Sequence, residues 1–237
     1  KHTFSKSNIG ICSSVNLAAE KATTEYILYS HDDMYFCPGW DIALKKEIDD
    51  LKTDSYYISG TMIEKSSGHI QLDCGNNYKD FDEEKLLREH KKIEFFDHQG
   101  SHWAPHLIHK TLWKKIGGFS EEFNPGVGSD PDLNMKLWNA GVRIFKGVSR
   151  FRVYHFGSIV LRKKKNFRKN KGSRTFLLKW GITPTFFVKY YLNGGAFVNG
   201  IIKCKEYDGP LKDPSKNISY FSNLILCKLK LIFSKIL

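Results

Sequence analysis

The sequence has 237 residues, 41% hydrophobic and 26% charged, which is the composition of a folded domain with room for a small appendage. It contains no apolar run near the roughly 18 residues of a membrane-spanning helix, and its first residues lack the apolar core of a signal peptide. Its five cysteines are scattered without a CxxC pair, which argues against a disulfide framework or a zinc cage. We therefore expect a cytoplasmic protein.

The charge is distributed unevenly along the chain. Residues 1–132 carry 15 Lys and Arg against 22 Asp and Glu, whereas residues 133–237 carry 22 against 3, so the balances are −7 and +19. A basic half of this kind predicts contact with phosphate groups, which belong to nucleotides, nucleic acid or anionic lipid headgroups.

Helical and strand patterns alternate through the first 156 residues, which predicts an α/β layered fold. Apolar spacing and end signals predict helices over 8–22, 40–51, 82–92, 109–116 and 129–140. Short runs of strand-forming residues predict strands over 25–30, 55–62, 69–73, 142–146 and 151–156. Beyond these the pattern becomes helical, aromatic and basic. We therefore expect two regions, 1–160 and a C-terminal extension over 161–237.

Two adjacent acids, Asp32 and Asp33, directly follow the first predicted strand. Ligands gather at the carboxyl ends of strands in α/β sheets, and carboxylate oxygens suit Mg²⁺ or Mn²⁺. A solvated turn is the alternative for this pair taken alone. His155 ends a later aromatic strand, where it is either a hydrogen-bonded core residue or a ligand.

A glycine-rich loop leads into the predicted helix at Ser129. Ser129 and Asp132 fit a capping box, so Asp132 has a purely structural interpretation. Asp130 is not needed for the cap, and it would face a cleft in the first turn. A helix N-terminus stabilises carboxylate, which weakens such a group as a base.

A histidine-rich segment places His98, His102 and His106 four residues apart. On one helix this spacing would form a transition-metal face, but Gly100 and Pro105 interrupt any helix. A polar, aromatic-lined binding loop is the favoured interpretation.

Taken in order, these features resemble the family 2 glycosyltransferases of the GT-A fold over about residues 8–160. The matching residues are Asn8-Ile-Gly10, Asn16, Ala19, Ala22, Glu25-Tyr-Ile-Leu28, His31-Asp-Asp-Met34, Pro38-Gly-Trp40, Gly100-Ser101, Ile116-Gly-Gly-Phe-Ser-Glu-Glu122, Ser129-Asp130, Asp132-Leu133 and His155. Ser129 departs from the family, which has Glu there. The first βαβ portion of the family is also missing, so we expect an N-terminally truncated three-layer GT-A sandwich.

The resemblance implies a set of roles for residues of this chain. Asp130 would be the catalytic base, and Asp33 with His155 would hold Mn²⁺ or Mg²⁺. The donor would contact Asp32 and Asn8. On the acceptor side the implied residues are Gly100, Ser101, His102, Trp103 and Asp132. Outside the range of the resemblance, the basic stretch from Arg162 to Arg174 could clamp the diphosphate, because arginine forks match phosphate oxygens, or it could equally contact an anionic membrane.

The sequence thus predicts an inverting, metal-dependent transferase of a sugar from a nucleotide-diphosphate donor to the hydroxyl of a glycan, polysaccharide or lipid-linked acceptor. An inactive or truncated transferase fragment is one alternative. A basic module that binds phosphate or nucleic acid through the +19 half is another. The apolar residues and lysines of 223–237 raise the further alternative of a peripheral contact with the inner face of the membrane.

Overall fold

The computed structural model describes residues 2–157 and 171–236 of the chain, so the predicted phosphate ligand Arg162 lies outside the described residues. The strands are β1 Tyr26–Tyr29, β2 Met34–Phe36, β3 Tyr56–Glu64, β4 Ile70–Gln71, β5 His98–Gln99, β6 His106–His109, β7 Ile144–His155, β8 Ala196–Val198 and β9 Ile201–Lys203. The helices are α1 Ile11–Glu20, α2 Trp40–Leu51, α3 Glu83–Glu89, α4 Lys110–Ile116, α5 Ser129–Asn139, α6 Gly172–Trp180, α7 Pro184–Phe187 with a π turn Val188–Leu192, and α8 Ile218–Ile236.

Seven of the strands form one mixed sheet, which confirms the predicted combination of helices and strands. Its order is β1-β6-β3-β7-β2, with β4 added to β3 and β5 added to β7. Strands β3 and β7 run parallel at the centre, while β1, β6 and β2 pair antiparallel with their neighbours. The pairing of β2 with β7 is what brings the turn after β1 next to the end of β7.

Side chains from the central strands enter hydrophobic clusters on both faces of the sheet. Tyr57 packs in the cluster that contains residues of α1, α4 and α5, whereas Tyr56 and Ile58 pack with Leu44 of α2. This division follows from the strand geometry, because successive side chains point to opposite faces. Burial on both faces explains why β3 is buried along its whole length except at Glu64.

The structure differs from the expected elements at several points, and it adds the short strands β2, β5 and β6, which were not predicted. The strands predicted over 142–146 and 151–156 are one strand, β7, because its pairing with β3 continues through a register shift between Gly60 and Thr61. The helix predicted from residue 8 begins at Ile11, since Gly10 has a φ of 83° that is incompatible with a helical turn. The hairpin of β8 and β9 was not predicted.

The residues after 171 contribute side chains to the hydrophobic core that residues 2–157 form. Phe176, Phe187, Leu192, Tyr220 and Cys227 are buried in the same cluster as side chains of β1, β6 and α5. The expected boundary near residue 160 therefore does not separate two hydrophobic cores. Within the described parts of the chain, no helix is long and apolar enough to cross a membrane.

Asp132 joins helix α5 to helix α6. Its side chain is fully buried; Ser120 Oγ donates to Oδ2 at 2.6 Å, and Trp180 Nε1 donates to Oδ1 at 2.8 Å. Lys179 Nζ lies 3.0 Å from Oδ1.

The predicted capping box is wrong: Gly128 is the N-cap without a side-chain bond, and Ser129 Oγ donates to the Gly126 carbonyl. Because Asp132 is fully buried, its side chain is not accessible for the acceptor contact that the resemblance implied.

We expect Asp132→Ala to lower the free energy of unfolding by about 3 kcal/mol, because it leaves the buried donors of Trp180 and Ser120 unpaired. Urea unfolding followed by tryptophan fluorescence measures this change. Asp50→Ala is the matched control, since Asp50 is exposed and its ion pair in the described residues is with Lys46 in the preceding helical turn, and it should leave the midpoint nearly unchanged. Equal midpoints for Asp132→Ala and wild type would contradict a joining role.

Candidate functional site

Three potential metal ligands meet where β1, β2 and β7 come together. His31 and Asp33 lie in the turn between β1 and β2, and His155 is the last residue of β7, where it pairs with Met34. His155 Nε2 lies 3.4 Å from Asp33 Oδ2, and His31 Nδ1 lies 4.0 Å from Asp33 Oδ1. The structure thus brings the predicted pair Asp33 and His155 together and adds His31, whose possible role the sequence interpretation missed.

Glu64, at the end of β3, fixes the ring of His155. Its Oε1 lies 2.5 Å from His155 Nδ1, which leaves Nε2 directed toward Asp33. Nε2 is buried and faces the Asp33 carboxylate at 3.4 Å. Burial by itself would lower the pKa of His155, but the carboxylates of Asp33 and Glu64 outweigh burial and raise it to about 9. A carboxylate behind a histidine is the usual support of a metal ligand, and a metal ion bound at Nε2 would displace the proton that this raised pKa keeps on the ring.

The donor set fits a divalent transition ion. His31, Asp33 and His155 offer two imidazole nitrogens and one carboxylate oxygen, all within 4.8 Å of one another. Imidazole suits transition metals, whereas Mg²⁺ prefers oxygen ligands, so Mn²⁺ fits this set better than Mg²⁺. Burial lowers the pKa of His31, although the charge of Asp33 acts in the opposite direction. The lowered pKa keeps the His31 ring neutral and able to coordinate a metal ion.

The donor-side residues predicted from the sequence lie in different environments. Asp32 is exposed in the turn beside Asp33. Asn8 is exposed, and its side chain accepts a local hydrogen bond from Gly10 N at 2.9 Å. Arg174 donates to the Ser234 carbonyl and so connects α6 with α8. Among the described members of this group, only Asp32 is adjacent to the His31–Asp33–His155 cluster.

Asp130 lies in the first turn of α5 and lines a cleft of about 600 Å³. Its Oδ1 is buried and has no hydrogen-bond partner within the described chain. Burial raises the pKa of Asp130 to about 7. The helix N-terminus would stabilise the carboxylate, and burial outweighs that effect. A carboxyl group with this pKa can exchange a proton near neutral pH.

Two of the four predicted acceptor-loop residues share the cleft with Asp130. His102 and Trp103 form one wall, and residues of α7 and the β8 hairpin form the other, including Lys189 and Phe197. Gly100 and Ser101 lie behind this wall. Gly100 has a φ of 64°, and a Cβ there would stand 2.0 Å from the Leu192 carbonyl oxygen, so glycine is required. Ser101 Oγ contacts Ser59 Oγ in the sheet.

Asn134 positions the two walls of the cleft relative to each other, a role that the sequence interpretation missed. Its Nδ2 donates to the Asp130 carbonyl at 2.8 Å and to the His102 carbonyl at 3.1 Å. The side chain is fully buried one turn after Asp130. The sequence does show that Asn134 lies four residues after Asp130, an acid at the start of a helix. That Asn134 also contacts the loop of His102 could be found only from the fold.

The ring of Tyr29 lies 5.4 Å from the ring of His31 in the metal-ligand cluster. Its pKa is raised by burial first and then by the charges of Asp130, Cys12, Asp33 and Asp32. The carboxylates of Asp130 and Asp33 are therefore both within electrostatic range of one buried phenol.

A second group of potential ligands, His69, His98 and Cys204, lies beneath the β8 hairpin. Both ring nitrogens of His69 already face donors: Met62 N at 3.0 Å from Nδ1 and Trp103 Nε1 at 3.3 Å from Nε2. A metal ion would displace one of these contacts, so this group is best explained as packing behind Trp103.

No family model and no curated protein matches the chain. Among solved structures, the fold is similar to the crystal structure of GalNAc-T7 with UDP, GalNAc and Mn²⁺, with a TM-score of 0.47 and 15% sequence identity. The similarity covers 64% of this chain and 31% of the GalNAc-T7 chain. A likeness at this level does not identify the reaction of this chain.

We expect Mn²⁺ to bind at His31, Asp33 and His155 without added nucleotide, as measured by the loss of the free-ion signal in electron paramagnetic resonance. Glu64→Gln should weaken this binding about ten- to a hundredfold, because Glu64 orients His155. Glu84→Gln is the matched control on exposed α3 and should bind like wild type. Equal affinities for Glu64→Gln and Glu84→Gln would contradict the assigned cluster.

We expect Asp130→Asn to stabilise the chain more at pH 8 than at pH 4. The pKa of Asp130 is about 7 in the folded chain against 3.8 as its ordinary value. Between these values the unfolded chain loses the proton that the folded chain keeps, so wild-type stability falls as pH rises, by up to about 4 kcal/mol. Asparagine cannot ionise, so the Asp130→Asn variant does not lose this stability as the pH rises. Urea unfolding of both proteins at each pH measures the difference, and a pH-independent difference would contradict the raised pKa.

Proposed function

We propose that this chain is a metal-dependent glycosyltransferase that moves a sugar from a nucleotide-diphosphate donor to a hydroxyl acceptor. The observation that carries the proposal is that two acids in different environments, Asp33 and Asp130, both lie within electrostatic range of Tyr29. Asp33 lies among imidazoles as a metal ligand, while Asp130 lies in a cleft with a raised pKa. The order of sequence motifs that resembles family 2 glycosyltransferases supports the same assignment.

Asp130 is the proposed general base. Asp130 is partly exposed and lines the cleft, so its carboxylate can accept the proton of an acceptor hydroxyl there, while its Oδ1 is buried and has no hydrogen-bond partner among residues 2–157 and 171–236. The raised pKa strengthens it as a base near neutral pH. His102 and Trp103 offer a polar and aromatic wall against which a sugar or lipid-linked acceptor can be oriented.

Asp33, His31 and His155 are the proposed holders of the divalent ion, with Glu64 fixing the ring of His155. When bound, the ion neutralises negative charge that develops on a diphosphate leaving group. Asp32, exposed beside this cluster, is placed to contact the ribose or the sugar. Attack of the acceptor from the face opposite the diphosphate inverts the configuration at the anomeric carbon.

Two cations of the basic half are neutralised by carboxylates of the fold, which counts against their use in binding nucleic acid. Lys146 pairs with Glu47 and Asp97 at 2.8 and 2.9 Å, and Lys179 pairs with Glu122 and Asp132 at 2.8 and 3.0 Å. Charges neutralised within the fold are not available to release counterions from nucleic acid.

Asp130→Asn should abolish sugar transfer while leaving Mn²⁺ binding unchanged. For wild type, kcat/KM should rise with pH to a plateau above about pH 7, because the base must be ionised. Release of nucleoside diphosphate from a panel of UDP- and GDP-sugars, with a glycan acceptor mixture, measures turnover. Asp49→Asn, on the exposed face of α2, is the matched control.

Turnover of Asp130→Asn at the wild-type rate would contradict the assignment of the base. Binding of nucleotide and Mn²⁺ without turnover by wild type, across donors and acceptors, would instead favour the inactive-fragment alternative. Steeply salt-dependent oligonucleotide binding that needs no metal would favour the phosphate-binding alternative.

A further inference from the structure

Helix α8 has an apolar face that no other part of the described residues, 2–157 and 171–236, covers. Its inner face packs on the core through Tyr220, Leu224 and Cys227. Seven apolar side chains on the remaining surface are between 47% and 87% exposed: Ile218, Phe221, Ile225, Leu226, Leu229, Ile232 and Phe233. Uncovered apolar surface of this extent marks an interaction site in a folded protein.

The exposed side chains of α8 form one continuous stripe. Ile218, Ile225, Leu229 and Ile232 recur at intervals of seven, four and three residues, the spacing of a single helical face. The helix has 19 residues and is therefore about 28 Å long. The outward stripe opposes the buried one, so α8 is apolar on two faces.

The lysines of α8 lie along the borders of this stripe. At about 100° per residue, Lys228 and Lys230 fall on opposite sides of it, each about 90° or a little more from its centre. Residues 214–237 contain four lysines and no acidic residue. The lysines did not share one face in the sequence interpretation because they border the apolar stripe on both sides.

We infer that α8 lies on the surface of an anionic lipid bilayer, with its apolar stripe among the acyl chains and its flanking lysines at the headgroups. Lysine stems can reach the headgroup level while the stripe is buried, and lysine attracts anionic lipid. A second copy of α8 on the same stripe would instead place lysines beside lysines, because the helix offers no carboxylate to match them, and the one contact of Lys228 given by the structure is with the Gly181 carbonyl at 3.3 Å.

The position of α8 places the bilayer near the cleft. Tyr190 Oη, in the π turn after α7, donates to the Ser219 carbonyl at 2.9 Å, so α8 is joined to α7. The adjacent Lys189 lines the cleft of Asp130. One helix therefore separates the proposed bilayer surface from the cleft, which suits an acceptor held at a membrane. The lipid contact itself does not depend on the proposed transferase activity.

The experiment is flotation of the full chain with vesicles of phosphatidylcholine, with and without 30% phosphatidylglycerol, in the absence of donor and metal. We expect binding to the anionic vesicles that Ile225→Gln/Ile232→Gln weakens at least about tenfold. Lys230→Gln should weaken binding to anionic vesicles about fivefold and leave binding to neutral vesicles unchanged. Ile42→Gln, which replaces an isoleucine that is 72% exposed on α2, is the matched control and should bind like wild type.

Circular dichroism and thermal unfolding establish that each variant is folded, which is expected because the substituted side chains are exposed. Absence of vesicle binding by the folded wild-type chain would overturn the inference, as would equal binding by Ile225→Gln/Ile232→Gln and Ile42→Gln. Self-association in sedimentation velocity that Ile225→Gln/Ile232→Gln abolishes, without vesicle binding, would show a contact between copies instead. Because no turnover is measured, failure here leaves the transferase proposal standing.

Discussion

The buried carboxylate of Asp132 is the interaction on which the region around the cleft depends. It receives hydrogen bonds from Ser120 and Trp180 and pairs with Lys179, so it ties α5 to the segment before it and to α6. A buried charge is tolerated only when it is paired and hydrogen-bonded, which restricts these partners to one geometry. The first turn of α5, and with it Asp130, is held in place as a consequence.

Asp130 and Asp132 are two residues apart, yet their surroundings prepare them for different tasks. Asp132 is saturated with donors, whereas Asp130 Oδ1 has no partner in the described chain and its pKa is raised by burial. Asp33 represents a third environment, since imidazoles surround it at the meeting of three strands. The local partners of each carboxylate thus suit Asp132 to a structural joint, Asp130 to the proposed proton acceptor and Asp33 to the proposed metal ligand.

The C-terminal residues serve both the interior and the surface. Helices α6, α7 and α8 bury aromatic side chains in the main cluster, and α7 and the π turn after it supply one wall of the cleft. Helix α8 then offers a second apolar stripe outward. The proposed acceptor cleft and the proposed bilayer contact are therefore adjacent, because α8 lies directly against the helix that borders the cleft.

The sequence by itself determined the local elements and the candidate acids. Periodicity located the helices over 40–51 and 129–140, and the acids after β1 and at the start of α5 could be named, because local spacing and end signals are properties of neighbouring residues. Only the tertiary structure decided which distant residues meet. Antiparallel pairing of β2 with β7 brought His155 to Asp33, and β3 brought Glu64 to His155. Capping of α5 by Gly128, burial of Asp132 and the outward stripe of α8 likewise depend on long-range packing, which no local pattern encodes.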